Sequence, residues 1–217
     1  MKSVRIKFSK LSTAKYISHL DLSRCMQRAI KRAALPVWYT EGFNPHMYVN
    51  FLSPLSLGTE SLCEFMDIRL LEDIEPEEII SRLSSQLQGG LNIISCASPM
   101  YKNTEIESAQ YEITVKCNDT KELAKFISAD KLEVKKQRKK HGEYVIDIKP
   151  AIIIDKLSFD ENELFVGINL PSGVHESINP SLIFEAFEAS FAGKNVTIDS
   201  MQILRTNLFC ANGKEFR

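Results

Sequence analysis

The sequence predicts an α+β protein made of two tandem βαββαβ units, and three observations predict it. Two stretches run through the same order of alternating and helically periodic segments. Residues 98–109, between them, lose all periodicity. The 217 residues, 44% hydrophobic and 25% charged, suffice for one large domain or two of about 100 residues with a real core.

Val4, Ile6 and Phe8 alternate with Arg5 and Lys7, as in a half-buried strand. Ser18 with Asp21 three residues on forms a capping box. The helix it opens, about His19 to Ala34, has an apolar stripe at Leu22, Met26, Ala29 and Ala33. Pro36 stops it. Val37–Thr40 and Met47–Phe51 read as strands around a Glu-Gly-Phe-Asn-Pro-His loop. Glu64–Leu70 reads as another strand, with Met66, Ile68 and Leu70 on one face. Pro76 suits a helix start, and Gly89-Gly90 its end. Leu91–Ala97 closes the first unit as a strand.

The second half begins with the alternation of Tyr111, Ile113, Val115 and Cys117. Asp119 caps a short helix carrying Leu123, Phe126 and Ile127. Strands are expected at Leu132–Gln137, Glu143–Ile148, Ala151–Leu157 and Leu164–Leu170, with Asp160-Glu-Asn162 at a turn. A helix with Ile183, Phe187 and Phe191 inward and a strand from Val196 to Thr206 complete it. The expectation is two ferredoxin-like sandwiches, residues 1–98 and 110–217, joined by a linker at 99–109, the second with extra antiparallel strands.

Composition bounds the function. The formal charge of −1 gives no global basic excess, so any nucleic-acid contact must come from local patches. Met1–Lys10 lacks the apolar core of a signal peptide. No run approaches the roughly 20 apolar residues that span a bilayer. The five cysteines are dispersed without CxxC or CxxxCxxC spacing, which argues against a cluster or zinc site and fits a reducing cytoplasm. No metal, no cofactor, no membrane association and no DNA are expected.

The densest polar and aromatic constellation is Glu41, Phe43, Asn44 and His46, on a loop set by Gly42 and Pro45. These residues suit contact with a polar ligand or partner; otherwise Asn44 bonds its own backbone in a structural turn. His19 sits at a helix N-terminus, where it can act as a base or meet a phosphate, or simply pack beside the cap. Arg24, Arg28, Lys31 and Arg32 share one helix face, about 12 Å long, which is either a solvated face or a phosphate-binding one. Lys135, Lys136, Arg138, Lys139 and Lys140 form a second basic segment, a solvated hairpin tip or an RNA contact.

Ile17-Ser-His-Leu-Asp-Leu-Ser-Arg24, Tyr39-Thr-Glu-Gly-Phe-Asn-Pro-His46, Pro54-Leu-Ser-Leu-Gly-Thr-Glu60, Glu143-Tyr-Val-Ile-Asp-Ile-Lys-Pro150 and Ile203-Leu-Arg-Thr-Asn207 together resemble a bacterial family. It is the radical SAM-associated family, and the resemblance covers essentially the whole chain. It implies companionship with a radical SAM protein and no catalytic assignment. The chain lacks the CxxxCxxC that holds a radical SAM cluster, so radical chemistry would belong to the partner. The tandem reading also looks like the CRISPR repeat-processing endoribonucleases. Those carry a glycine-rich loop near the C-terminus, where Ala211-Asn-Gly-Lys214 offers one glycine.

Three functions follow as expectations. The first is a cytoplasmic accessory protein that binds RNA or positions a substrate for a radical SAM partner, with Arg24, Arg28, Arg32, Phe43, Asn44 and His46 as contacts. The second is an RNA-processing or hydrolytic enzyme in which His19, Glu41 and His46 converge. The third is a scaffold that contacts only protein.

Overall fold

Alternation along the first nine-residue strand decides the first layer. In the computed structural model, which describes residues 1–138 and 142–217 (of 136–138, 142 and 143 the backbone only), β1 is Lys2–Lys10. Its Val4, Ile6 and Phe8 are buried in the core. Arg5 and Lys7 leave by the opposite face, as period-two geometry requires. The fold is α+β, with four α-helices and eight strands of mixed sheet among the described residues. It divides into two compact units, Met1–Ile106 with Asn207–Arg217 and Glu107–Thr206. Thus residues 207–217, expected in the second half, return to the first unit.

The first unit runs β1, α1 (His19–Arg32), β2 (Val49–Leu52), β3 (Glu60–Leu70), α2 (Pro76–Ser84) and β4 (Leu91–Ala97). The strands lie in the order β4-β1-β3, with β2 also paired to β3, and each of these pairings is antiparallel. The Ser18 hydroxyl accepts the Asp21 N–H at 3.1 Å, capping α1, an arrangement worth about 1 kcal/mol. Leu22, Met26, Ala29 and Ile30 of α1 and Ile79 and Leu83 of α2 bury against Val4, Ile6, Phe8, Met66, Ile68 and Leu70. α1 ends at Arg32, short of the expected Ala34, because Ala34 takes φ +50° and leaves the helix. Gly90 has φ +92°, and a Cβ there would lie 2.0 Å from the Leu11 carbonyl oxygen. Only glycine permits that approach, through which Leu11 N–H reaches Gly90 O at 2.9 Å.

Val37–Thr40, expected as a strand, makes isolated bridges only: Val37 to Leu70 and Tyr39 to Met47. The segment switches partner after one residue, from β3 to its own return strand, so neither ladder extends. The expected linker is also shorter, since β5 already begins at Ile106.

The second unit contains β5 (Ile106–Cys117), α3 (Thr120–Ser128), β6 (Glu133–Arg138), β7 (Gly142–Asp147), β8 (Ile153–Phe159), β9 (Glu163–Pro171), α4 (Ser181–Ser190) and β10 (Ile198–Cys210), the last crossing into the first unit at Asn207. Its strand order is β10-β5-β9-β8, while β6 and β7 form a separate two-stranded sheet among the described residues. Register places Ile113 beside Val166 and Tyr111 beside Ile168. Leu123, Ile127, Ile183, Phe184 and Phe187 are buried here as well. The turn at Asp160 forms because its carboxylate accepts the N–H groups of Asn162 and Glu163, each at 2.9 Å. The same two bonds hold that carboxyl below the usual aspartate range.

No helix among the described residues is long and apolar enough to cross a membrane. No disulfide joins the five cysteines among the described residues; Cys25 is half-buried and the other four are buried.

Candidate functional site

Residues 38–48 form a hairpin that stands on β3. Trp38 N–H donates to Arg69 O at 2.8 Å, Tyr48 N–H to Trp38 O at 3.1 Å, and Thr40 N–H to His46 O at 2.8 Å. The Arg69 guanidinium lies 4.4 Å from the Tyr48 ring centroid and 5.2 Å from that of Trp38. One cation thus holds both arms of the hairpin, at about 0.5–1 kcal/mol per contact for exposed pairs and more as they bury.

Toward the tip, side chains replace backbone pairing. His46 N–H donates to Thr40 Oγ1 at 3.1 Å, and His46 Nδ1 lies 2.9 Å from that hydroxyl and 3.3 Å from Asn44 O. Among the described residues Nε2 of the ring makes no hydrogen bond, and the residue is exposed. Gly42, at φ +125°, supplies the turn conformation that L residues avoid. Glu41 to His46 are all exposed, and the Phe43 ring is fully so. Burying such a phenyl ring against another surface would be worth about 2–3 kcal/mol.

The other sequence candidates fall elsewhere. His19 is exposed at the first turn of α1, its ring packed edge-on to Phe51 at 5.4 Å. Phe51 is five extended residues beyond His46, on the order of 16 Å along the chain. No hydrogen bond joins His19 to Glu41 or His46, so the structure does not bring these three side chains into direct bonding reach. Among the described residues no group of three His, Cys, Asp or Glu could hold a metal. Of the α1 cations, Arg24 lies 3.4 Å from Asp21. Arg28 and Lys31 are exposed, with no hydrogen-bond or ion-pair partner among the described residues. Arg32 is committed, donating through Nη2 to Gln86 O at 2.8 Å and tying the helix to the residues after α2. Lys135 is exposed on β6; Lys136 and Arg138 lie opposite Tyr144 and Gly142. Lys139 and Lys140 lie outside the described residues.

The sequence reading passed over the sheet face opposite α1 and α2. Register aligns Ala97, Arg5 and Asp67 in one row across β4, β1 and β3, and Ser95, Lys7 and Phe65 in the next. Arg5 is 4% exposed and grips Asp67 with both arms, Nε to Oδ1 at 2.7 Å and Nη2 to Oδ2 at 2.9 Å. Its Nη1 donates to Tyr101 O at 2.8 Å and Arg217 O at 2.7 Å. The guanidinium also lies 4.6 Å from the Phe216 ring centroid, and Phe216 meets Phe65 edge-on at 5.3 Å. Above these rows is a cavity of about 380 Å³. The one signal for it in the sequence was the pair of cations at Arg5 and Lys7 between the apolar residues of β1.

A crystal structure of an unknown protein from Galdieria sulphuraria is similar at 14% identity over 94% of this chain and 98% of that one, with a TM-score of 0.25, too low to carry an argument. No curated protein matches. Residues 3–180 match the family described as "Uncharacterized protein conserved in bacteria (DUF2344)", and the chain belongs to that family.

Proposed function

We propose that this member of the family is a non-catalytic accessory protein that docks a radical SAM partner through the 38–48 hairpin and binds RNA through its basic surfaces. The partner class comes from the resemblance of the SHLD and GFNPH segments. One observation carries the docking role: Phe43 stands fully exposed at the tip of a hairpin whose base is clamped by Arg69. Rigid exposed aromatics lose little entropy on binding and are frequent energetic anchors of interfaces. The RNA role draws on Arg28, Lys31 and Lys135, exposed cations that phosphates would neutralise. Both units read as ferredoxin-like, since the orders β4-β1-β3-β2 and β10-β5-β9-β8 suit that topology, with β6–β7 as an insertion. Cysteines without a disulfide among the described residues suit the cytoplasm.

Affinity capture with the tagged chain tests docking. Wild type is expected to retain a radical SAM protein from its own cells and Phe43→Ala to lose it; capture unaffected by Phe43→Ala, or none by wild type, removes the partner. Gel-shift titration with total tRNA and ribosomal RNA fragments at several salt concentrations tests the RNA role. Binding should weaken as salt rises and weaken further in Arg28→Glu/Lys31→Glu. Absence of any shift at low salt removes RNA.

A further inference from the structure

We propose that the cavity on the open sheet face of the first unit binds one nucleotide, either free or as the end of an RNA strand. The proposal stands apart from hairpin docking, because all the residues that line the cavity differ from those of the hairpin. Its volume of about 380 Å³ is at the small end of ligand pockets, ~300–1,000 Å³, which is room for one nucleotide and no longer segment.

The walls sort into two chemistries. One is a set of unspent donors. Lys7 Nζ has three N–H groups, of which Glu215 Oε1 takes one at 3.1 Å. The hydroxyls of Ser95 and Ser98 make no hydrogen bond among the described residues, and both residues are exposed. Lys7 is only 22% exposed, and its ammonium lies 5.8 Å from the Phe65 ring centroid. A cation so removed from water gains from an anionic oxygen that takes its two remaining donors. Together with the serines it suits a phosphate. The other chemistry is apolar: the Phe65 ring and the exposed Met100 side chain, whose flexible thioether can settle on a planar ring. The Glu215 carboxylate, which also lines the cavity and gives Oε1 to Lys7, offers its other oxygen as an acceptor for the N–H groups on a base edge. Beneath, Arg5 uses four hydrogen bonds on its own structure, so the floor is rigid before any ligand arrives.

Isothermal titration of the full chain tests this with the four ribonucleoside 5′-monophosphates, uridine, inorganic phosphate, and tetraribonucleotides with and without a 5′-phosphate. At least one monophosphate is expected to bind, at least tenfold tighter than uridine or inorganic phosphate. Lys7→Met and Ser98→Phe should each weaken it at least tenfold with an unchanged circular dichroism spectrum; Ser98, on an exposed loop, fills the cavity without touching the Lys7–Glu215 pair. Phe43→Ala should leave it unchanged, which separates this site from the docking surface. A 5′-phosphorylated tetramer binding tenfold tighter than the monomers identifies the RNA end as the source, and equal affinity identifies the free nucleotide. No heat from any nucleotide at millimolar concentration, or binding indifferent to both pocket variants, overturns the proposal.

Discussion

The hairpin of residues 38–48 and the open sheet face both rest on β3, on three of its alternating residues. Phe65 lies near the Lys7 ammonium, Asp67 pairs with Arg5, and Arg69 serves the Trp38 and Tyr48 rings. The same face and the same kind of contact, a cation against a ring or carboxylate, give different results. At the Arg69 end the cation is a brace, and the exposed Phe43 ring stands on the turn beyond it. At the Arg5 end the cation is the floor, and the free donors stand in a hollow above it. A brace at the base of a turn leaves the turn's chemistry to local residues. A floor across three strands depends on partners far apart in the chain, Arg5 with Asp67 and Tyr101, so its loss should be felt throughout the unit.

The largest effect should come from the floor. Arg5→Ala strands the mostly buried Asp67 carboxylate and is expected to cost about 3–5 kcal/mol in chemical denaturation; a loss under 1 kcal/mol would show that the floor is not an anchor. Phe43→Ala should do the reverse, with stability within about 0.5 kcal/mol of wild type and partner affinity down by about 2 kcal/mol, roughly 30-fold in titration. Arg69→Ala lies between, costing about 1–2 kcal/mol. Trp38 is the single tryptophan, so its fluorescence should report the loosened clamp; an unchanged spectrum would count against the brace.

A pH-dependent effect concerns Cys96, between Ser95 and Ala97 on β4 but turned to the opposite face. Burial pushes its thiol up to about 11 from 9.0. The unfolded chain therefore loses that proton first, and stability should fall as pH rises from 9 through 11, then level off. Native Cys96 should resist alkylation at pH 8 while half-buried Cys25 reacts, and Arg5→Ala should speed Cys96 labelling if the floor holds β4 in place.

Local features were legible in the sequence. The Ser18 cap and the buried face of α1 depend on residues three and four apart, as does the Asp160 turn on residues two and three apart. The Gly42–Pro45 turn likewise encodes itself. Less legible were Val37–Thr40, whose pairing changes partner after a single residue, and the division of the chain, because nothing local says that residues 207–217 return to the first unit. Where His19 lies relative to Glu41 and His46 is likewise a matter of tertiary packing, in which its ring meets Phe51.

By itself, the sequence determined the α+β class, the exposed chemistry of the Glu41–His46 turn and the two basic segments, since these follow from periodicity, capping and turn residues a few positions apart. Tertiary structure alone decided that Arg5 and Lys7 would become the floor and wall of a hollow. Their fate depends on strand register with residues about 60 and 90 positions away, and a shift of one residue would have put every one of those side chains on the other face.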